Sequence, residues 1–217
     1  MKGLIFDCDD TILNIKEYIP VYIQILREAY HSCTGDTMRV TNGECYKAMQ
    51  LPVLESCKML RNEWGVEPEK FWRAVFNLDR SIRNRELGSK VKPFRDAYMV
   101  RRLAKRYMLG VLSNTPEPIV EYQLRYFKLR SLFQAVVCGF YKSDMCKPET
   151  QGLKLCLEKM GLEPGEAAII GDSDIDVAVG KKMGLLTIQV DRGHWDYGNP
   201  KADHVIKSLR ELEGILK

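Results

Sequence analysis

Short apolar runs closed by acidic or turn residues punctuate this chain. Lys2-Gly3-Leu4-Ile5-Phe6 stops at Asp7, and comparable runs return at Met108 to Leu112, Ala135 to Cys138, Ala167 to Ile170 and Leu185 to Val190. Runs of this length without polar alternation are expected of strands buried on both faces of a parallel sheet. Helix-like segments separate the later runs, so residues 93–217 alternate helix and strand. That order predicts an α/β fold with a doubly wound, Rossmann-like parallel sheet, whose right-handed crossovers bring the carboxyl ends of the strands to one edge.

Residues 15–90 carry a different pattern. Tyr18, Tyr22, Ile25, Leu26, Ala29 and Tyr30 recur at helical spacing, as do Phe71, Val75 and Leu78 after Pro68. Pro68 suits a first helical turn, while Pro20 and Pro52 suit helix starts or kinks. No strand-like run interrupts them. An all-helical insertion, residues 15–90, is therefore expected within a core made of residues 1–14 and 91–217.

Composition narrows the class. At 217 residues, 45% apolar and 29% charged, the chain can bury roughly 70% of its unfolded surface, so neither disorder nor a small disulfide scaffold is expected. A net charge of +4 is too small to argue for nucleic acid or membrane. The opening apolar run is too short for a signal peptide, and no later stretch reaches the length of a membrane span. Seven cysteines, with no C-x-x-C pair, suit free thiols in a reducing cytoplasm, packed as small apolar fillers.

Charge becomes informative once it is placed. Six of thirteen aspartates fall in two windows, Asp7, Asp9, Asp10 and Asp172, Asp174, Asp176, each directly after a predicted strand. Asp7 and Asp9 stand two apart, so an extended chain points them the same way and Cys8 the other. Carboxylates gathered at one sheet edge repel one another unless a cation joins them. Oxygen-only ligands favour a hard ion, and magnesium suits a few carboxylates that leave room for water and a phosphate. Asp10 or Asp174 alone reads as a cap or turn residue. Leu112-Ser113-Asn114-Thr115-Pro116 ends a strand in hydroxyl and amide groups before a helix, which suits either an anion or an ordinary cap. Lys147 alone reads as a solvated lysine.

The ordered set is specific. Asp7-x-Asp9-x-Thr11, then Ser113, then Lys147, then Gly171-Asp172-Ser173-x-x-Asp176 resembles the four motifs of the haloacid dehalogenase superfamily. The helical insertion resembles the small cap of its phosphoglycolate phosphatase-like branch, as does Val91-Lys92-Pro93-Phe94-Arg95-Asp96-Ala97. Asp10 stands where many relatives carry glycine. The resemblance implies that Asp7 is the nucleophile that becomes an aspartyl-phosphate and that Asp9 is the acid and base, oriented by Thr11. It also implies that magnesium is held by Asp7, the Asp9 carbonyl, Asp172 and Asp176, and that Thr11, Ser113, Asn114 and Lys147 serve the phosphate. Because dehalogenases of the superfamily lack an acid at the position of Asp9, a phosphatase for a small phosphorylated metabolite is expected. A phosphomutase is the alternative within the family. Outside catalysis, a phospho-accepting receiver module is opposed by the length of the chain and by an insertion right after the first strand.

Other signals read as structural. His31, His194 and His204 are isolated, and Trp64, Trp72 and Trp195 suit core or interface positions. Glycine loops of nucleotide enzymes and the serine-hydrolase elbow do not occur. From Arg80 to Arg106 ten basic residues meet two acids. A solvated helix face explains much of this; steering of an anionic substrate is the alternative, in which case neutralising Arg83 and Arg85 raises KM.

Overall fold

The first apolar run forms β1 (Gly3–Phe6), buried at every position because strands flank it on both sides. In this computed structural model, which describes residues 1–36, 39–140, 144–193 and 201–216, the chain continues through β2 (Leu13–Asn14) into α1 (Ile19–Thr34), α2 (Asn42–Gln50), α3 (Val53–Asn62) and α4 (Pro68–Arg85), and returns through β3 (Lys92–Pro93). Then follow α5 (Tyr98–Leu103), β4 (Met108–Ser113), α6 (Glu117–Tyr126), β5 (Ala135–Cys138), α7 (Gln151–Met160), β6 (Ala167–Gly171), α8 (Asp174–Met183), β7 (Leu186–Val190), β8 (His204–Ile206) and α9 (Leu212–Ile215). The order across the main sheet is β5-β4-β1-β6-β7-β8, and every pair is parallel.

The topology positions the site. Strand order reverses at β1, where Ile5 stands opposite Gly110 on one side and Ile169 on the other. Crevices at such switch points, outside the carboxyl ends of the strands, are where open α/β sheets bind ligands. Asp7, Ser113 and Asp172 leave adjacent strands there. Both faces are covered, Leu4 and Phe6 packing into one cluster and Ile5 into the other with Cys156 and Met160 of α7. A Cβ on Gly110 would lie 2.7 Å from the Met160 sulfur and 2.8 Å from that of Cys156, so glycine in β4 is what lets α7 lie close to the sheet.

The insertion is helical as its periodicity predicts. Pro68 opens α4, Pro20 lies in the first turn of α1 and Pro52 sits at the start of α3, positions where a missing N–H costs little. Trp64 packs edge-on against Tyr30 and Phe71, with ring centroids 5.7 and 5.5 Å apart; full burial of Phe71 alone is worth about 3 kcal/mol. This apolar cluster is continuous with one face of the sheet. At the base, β2 and β3 pair antiparallel, Leu13 with Pro93 and Asn14 with Lys92, tying together the two chain crossings. No helix among the described residues is long and apolar enough to cross a membrane.

Candidate active site

Asp7 follows β1 directly, and its backbone N–H donates to Ile170 O at 2.8 Å, which keeps the acid in register with β6. Its Oδ1 accepts a 2.6 Å bond from the Lys147 ammonium, which also donates to Asp176 Oδ1 at 2.6 Å. All three residues are buried. Asp176 sits in the first turn of α8, where its Oδ2 accepts from the Ser173 N–H at 3.1 Å and from the Ser173 hydroxyl. Gly171 is required beside it, because a Cβ there would overlap the Asp176 carboxyl. The second aspartate window is thus also a helix start, with Asp174 at its first position.

Asp9 is held from two directions. Its Oδ2 accepts from Arg83 Nη1 of α4 at 2.7 Å and from the Thr115 hydroxyl at 2.9 Å, whereas Oδ1 is buried and has no hydrogen-bond partner. Arg83 in turn donates to Asp79 Oδ1 at 3.3 Å, and the same oxygen accepts from the Tyr18 hydroxyl at 2.6 Å. The guanidinium carbon lies 4.9 Å from the centre of the Tyr18 ring and 5.8 Å from that of Tyr22, so the cation is both paired and stacked. Burial favours loss of the charge, but Asp79 and Asp9 outweigh it and keep the guanidinium protonated.

The remaining predicted residues gather here in unequal roles. Ser113, at the end of β4, is buried, and its hydroxyl accepts from the Thr115 N–H at 3.1 Å. Asn114 clamps the Lys147 backbone from both sides, its Oδ1 accepting the Lys147 N–H at 2.8 Å and its Nδ2 donating to Lys147 O at 3.0 Å. Its side chain therefore sets where the lysine stands. Thr11 donates to Asp172 Oδ1 at 3.3 Å rather than to Asp9. The hydroxyl on Asp9 belongs to Thr115, a residue sequence reasoning treated only as part of a strand end. Asp10 takes φ 52°, the left-handed region that aspartate tolerates and glycine occupies freely.

Charge at this edge is unbalanced. Asp7, Asp172 and Asp176 present oxygens within 4.8 Å of one another, and all three are buried. Burial pushes the Asp7 carboxyl up to about 7, with the repulsion of Asp176 and Asp9 adding to a rise that Lys147 opposes. On Lys147 burial works against the charge, yet Asp176 and Asp7 hold the ammonium above its usual range. One lysine is shared by two of these three carboxylates. An all-oxygen, anion-rich donor set fits a hard dication, and magnesium would be held by Asp7, Asp172 and Asp176. Asp9 stands outside that carboxylate group, its side chain turned to Arg83 and Thr115.

Other sequence expectations find their places. The Cys8 thiol is fully buried and burial drives its pKa far up, an inert filler. Trp64 is core, whereas Trp72 is half-buried and lines the cavity over the acids. His31 and His204 are exposed, and His194 and Trp195 lie outside the described residues. The basic stretch scatters. Lys90 pairs with Glu86, Lys92 with Glu17 and Arg102 with Glu213 at the surface, Arg85 is exposed, and Arg83 lines the cavity.

A parallel α/β sheet whose switch point gathers carboxylates around a buried lysine, beneath a helical insertion, is the frame in which the chain's family can be read. A family model described as haloacid dehalogenase-like hydrolase matches residues 4–190, and the chain belongs to that family, beside its phosphoglycolate phosphatase-like members. It is 30% identical over 109 residues to a phosphoglycolate phosphatase of Chromobacterium violaceum, covering 50% of this chain and 49% of that protein, so it spans about half the length of that relative. A glyceraldehyde 3-phosphate phosphatase of Methanocaldococcus jannaschii is 24% identical over 230 residues, covering 100% of this chain and 97% of that one. In fold it resembles CbbY of Rhodobacter sphaeroides, solved in complex with phosphate, with a TM-score of 0.79 at 20% identity over 98% of this chain and 96% of that one.

Proposed function

We propose that this protein is a phosphatase that hydrolyses a small phosphate monoester through an aspartyl-phosphate on Asp7, with magnesium as cofactor. What carries this reading is the division between the first two acids: Asp7 is bonded to Lys147, while Asp9 has one oxygen clamped and the other buried and unpartnered. In the first step an Asp7 oxygen attacks phosphorus, the P–O bond to the alcohol breaks, and Asp9 gives its proton to the departing oxygen. In the second, water attacks phosphorus while Asp9 takes its proton, and the bond to Asp7 breaks to release phosphate. Lys147 and Ser113 hold the non-bridging oxygens, with Asn114 and Thr11 fixing the groups around them. Magnesium, held by Asp7, Asp172 and Asp176 together with the Asp9 carbonyl, supplies the positive charge that offsets an attack of anion on anion.

Residues 15–90 serve as the cap over a core of residues 1–14 and 91–217, excluding water from the first step. All seven cysteines are free thiols, in keeping with a reducing cytoplasm. The test is steady-state hydrolysis of p-nitrophenyl phosphate with magnesium, lost on adding EDTA. Asp9→Asn lowers turnover by roughly 10²-fold or more and leaves magnesium binding nearly intact. Turnover close to wild type in that variant refutes the assignment.

A further inference from the structure

The cavity over the acids measures about 430 Å³, room for a phosphate and a body the size of one aromatic ring. Its core half is charged, with Asp7, Asp9, Lys147 and Asp172 at the base. Its cap half is mostly apolar. Tyr22, Met49, Leu51, Trp72, Val75 and Phe76 line it, and Phe140, two residues after β5, closes on Phe76 with ring centroids 5.5 Å apart. Among the described residues the cap contributes two charged groups to this lining, Asp79 and Arg83, and these are bonded to each other. Arg83 is also spent on Asp9.

We infer that the substrate is a phosphate monoester whose alcohol part is apolar, aromatic or branched aliphatic, with the phosphate as its only ionised group. The inference rests on the phosphatase reading above. A second anion placed in the cap half would lose its water to a wall of hydrocarbon and rings and meet the carboxylate of Asp79, with its one nearby cation already bridging two acids. A polyhydroxylated sugar would bring more hydroxyls than the few polar side chains of that wall can serve, at the desolvation cost each unpaired one carries. Polar groups in the cap half are few: Gln50 and Tyr22 are in the lining, and the Ser56 hydroxyl and Trp72 Nε1 are buried there without a hydrogen-bond partner. An aromatic or branched body instead removes its own apolar surface and that of the rings from water, the usual composition of a small-molecule pocket.

Four esters of ordinary alcohols test this on the full chain with magnesium: 2-phenylethyl phosphate, ethyl phosphate, glycerol 1-phosphate and phosphoglycolate. The expected kcat/KM for 2-phenylethyl phosphate exceeds each of the others by tenfold or more, mostly through KM. A smaller ratio against any of them overturns the inference and leaves the phosphatase reading standing. Absence of turnover with all four overturns the inference, and p-nitrophenyl phosphate then shows whether the phosphatase reading falls with it. Phe76→Lys, which puts a cation on the apolar wall, is expected to narrow the ratio of 2-phenylethyl phosphate to phosphoglycolate at least fivefold. Since the ranking is read first on the unaltered chain, the inference stays open to refutation even if that variant fails to fold.

Discussion

Arg83 decides between two uses of positive charge. As a substrate attractor it would be free to meet an incoming anion, but its guanidinium sits between Asp9 and Asp79, buried, with Tyr18 and Tyr22 against it. In the mechanism proposed above, that pairing would hold the carboxylate of Asp9 with Oδ1 left for proton transfer, which would make Arg83 a positioning residue. A positioned acid contributes roughly 10²- to 10⁴-fold to rate, and Arg83→Met is expected to lose about 10- to 100-fold of that in kcat, with KM within about twofold. The variant also strands Asp79 in the interior at a cost of about 3 kcal/mol. The double variant Arg83→Met, Asp79→Asn should regain most of that stability and none of the kcat, whereas Arg85→Gln, at an exposed position, should change neither. A rise in KM at unchanged kcat for Arg83→Met would return the residue to substrate binding.

Elements meet at Asp96, just before α5. Its Oδ2 accepts from Arg192 Nη1, the Ser208 hydroxyl and the Leu209 N–H at 2.9, 2.8 and 2.8 Å, and Oδ1 accepts from Arg192 Nη2 at 3.2 Å, so one carboxylate joins the segment after β3 to those after β7 and β8. Burial raises the Asp96 carboxyl, but these bonds and the charge of Arg192 outweigh it and hold the group below its ordinary range. A carboxylate depressed in the folded state contributes stability that is present above the ordinary carboxyl pKa, about 4, and is lost as pH falls through the folded value. Asp96→Asn, which leaves Arg192 without its ion pair, should therefore cost about 3 kcal/mol at pH 7 and progressively less below pH about 4. Urea midpoints of the two proteins from pH 3 to pH 7 check this, and a difference that does not change with pH would remove the ionic account. The sequence made such joints legible only in part. Uninterrupted apolar runs marked the buried strands within a residue or two, and helical spacing marked α1 and α4. The edge strand β8 was missed because it is three residues long and exposed at Val205, which leaves no periodicity to read. The partners of Asp9 were hidden for a different reason. Arg83 and Thr115 lie 74 and 106 residues away in sequence, and local pattern carries no information about what packing brings together.

Across the whole molecule, the small net charge of +4 conceals a fold that scatters its basic stretch, three of its ten cations in surface pairs and Arg83 buried, and concentrates buried carboxylates at the switch point of the sheet. Repulsion among those carboxylates works against folding, and Lys147 offsets it at Asp7 and Asp176. A cation that binds the folded chain and not the unfolded one must then stabilise it by mass action, by about 2.7 kcal/mol at a hundredfold excess over its dissociation constant. For a chain of this length that corresponds to a rise in Tm of about 5–10 °C. Thermal melts in saturating magnesium against EDTA are expected to show this rise in the wild type. In Asp172→Asn the magnesium shift should shrink to a small fraction, because one of three charged donors is gone. Without metal the same variant should melt at or above the wild-type temperature, since it relieves one member of a crowded set of buried carboxylates. The two effects have opposite signs, so a general loss of fold cannot imitate them. A variant that melts lower in EDTA while keeping the full magnesium shift would show that Asp172 supports the structure and leaves the ion to other groups.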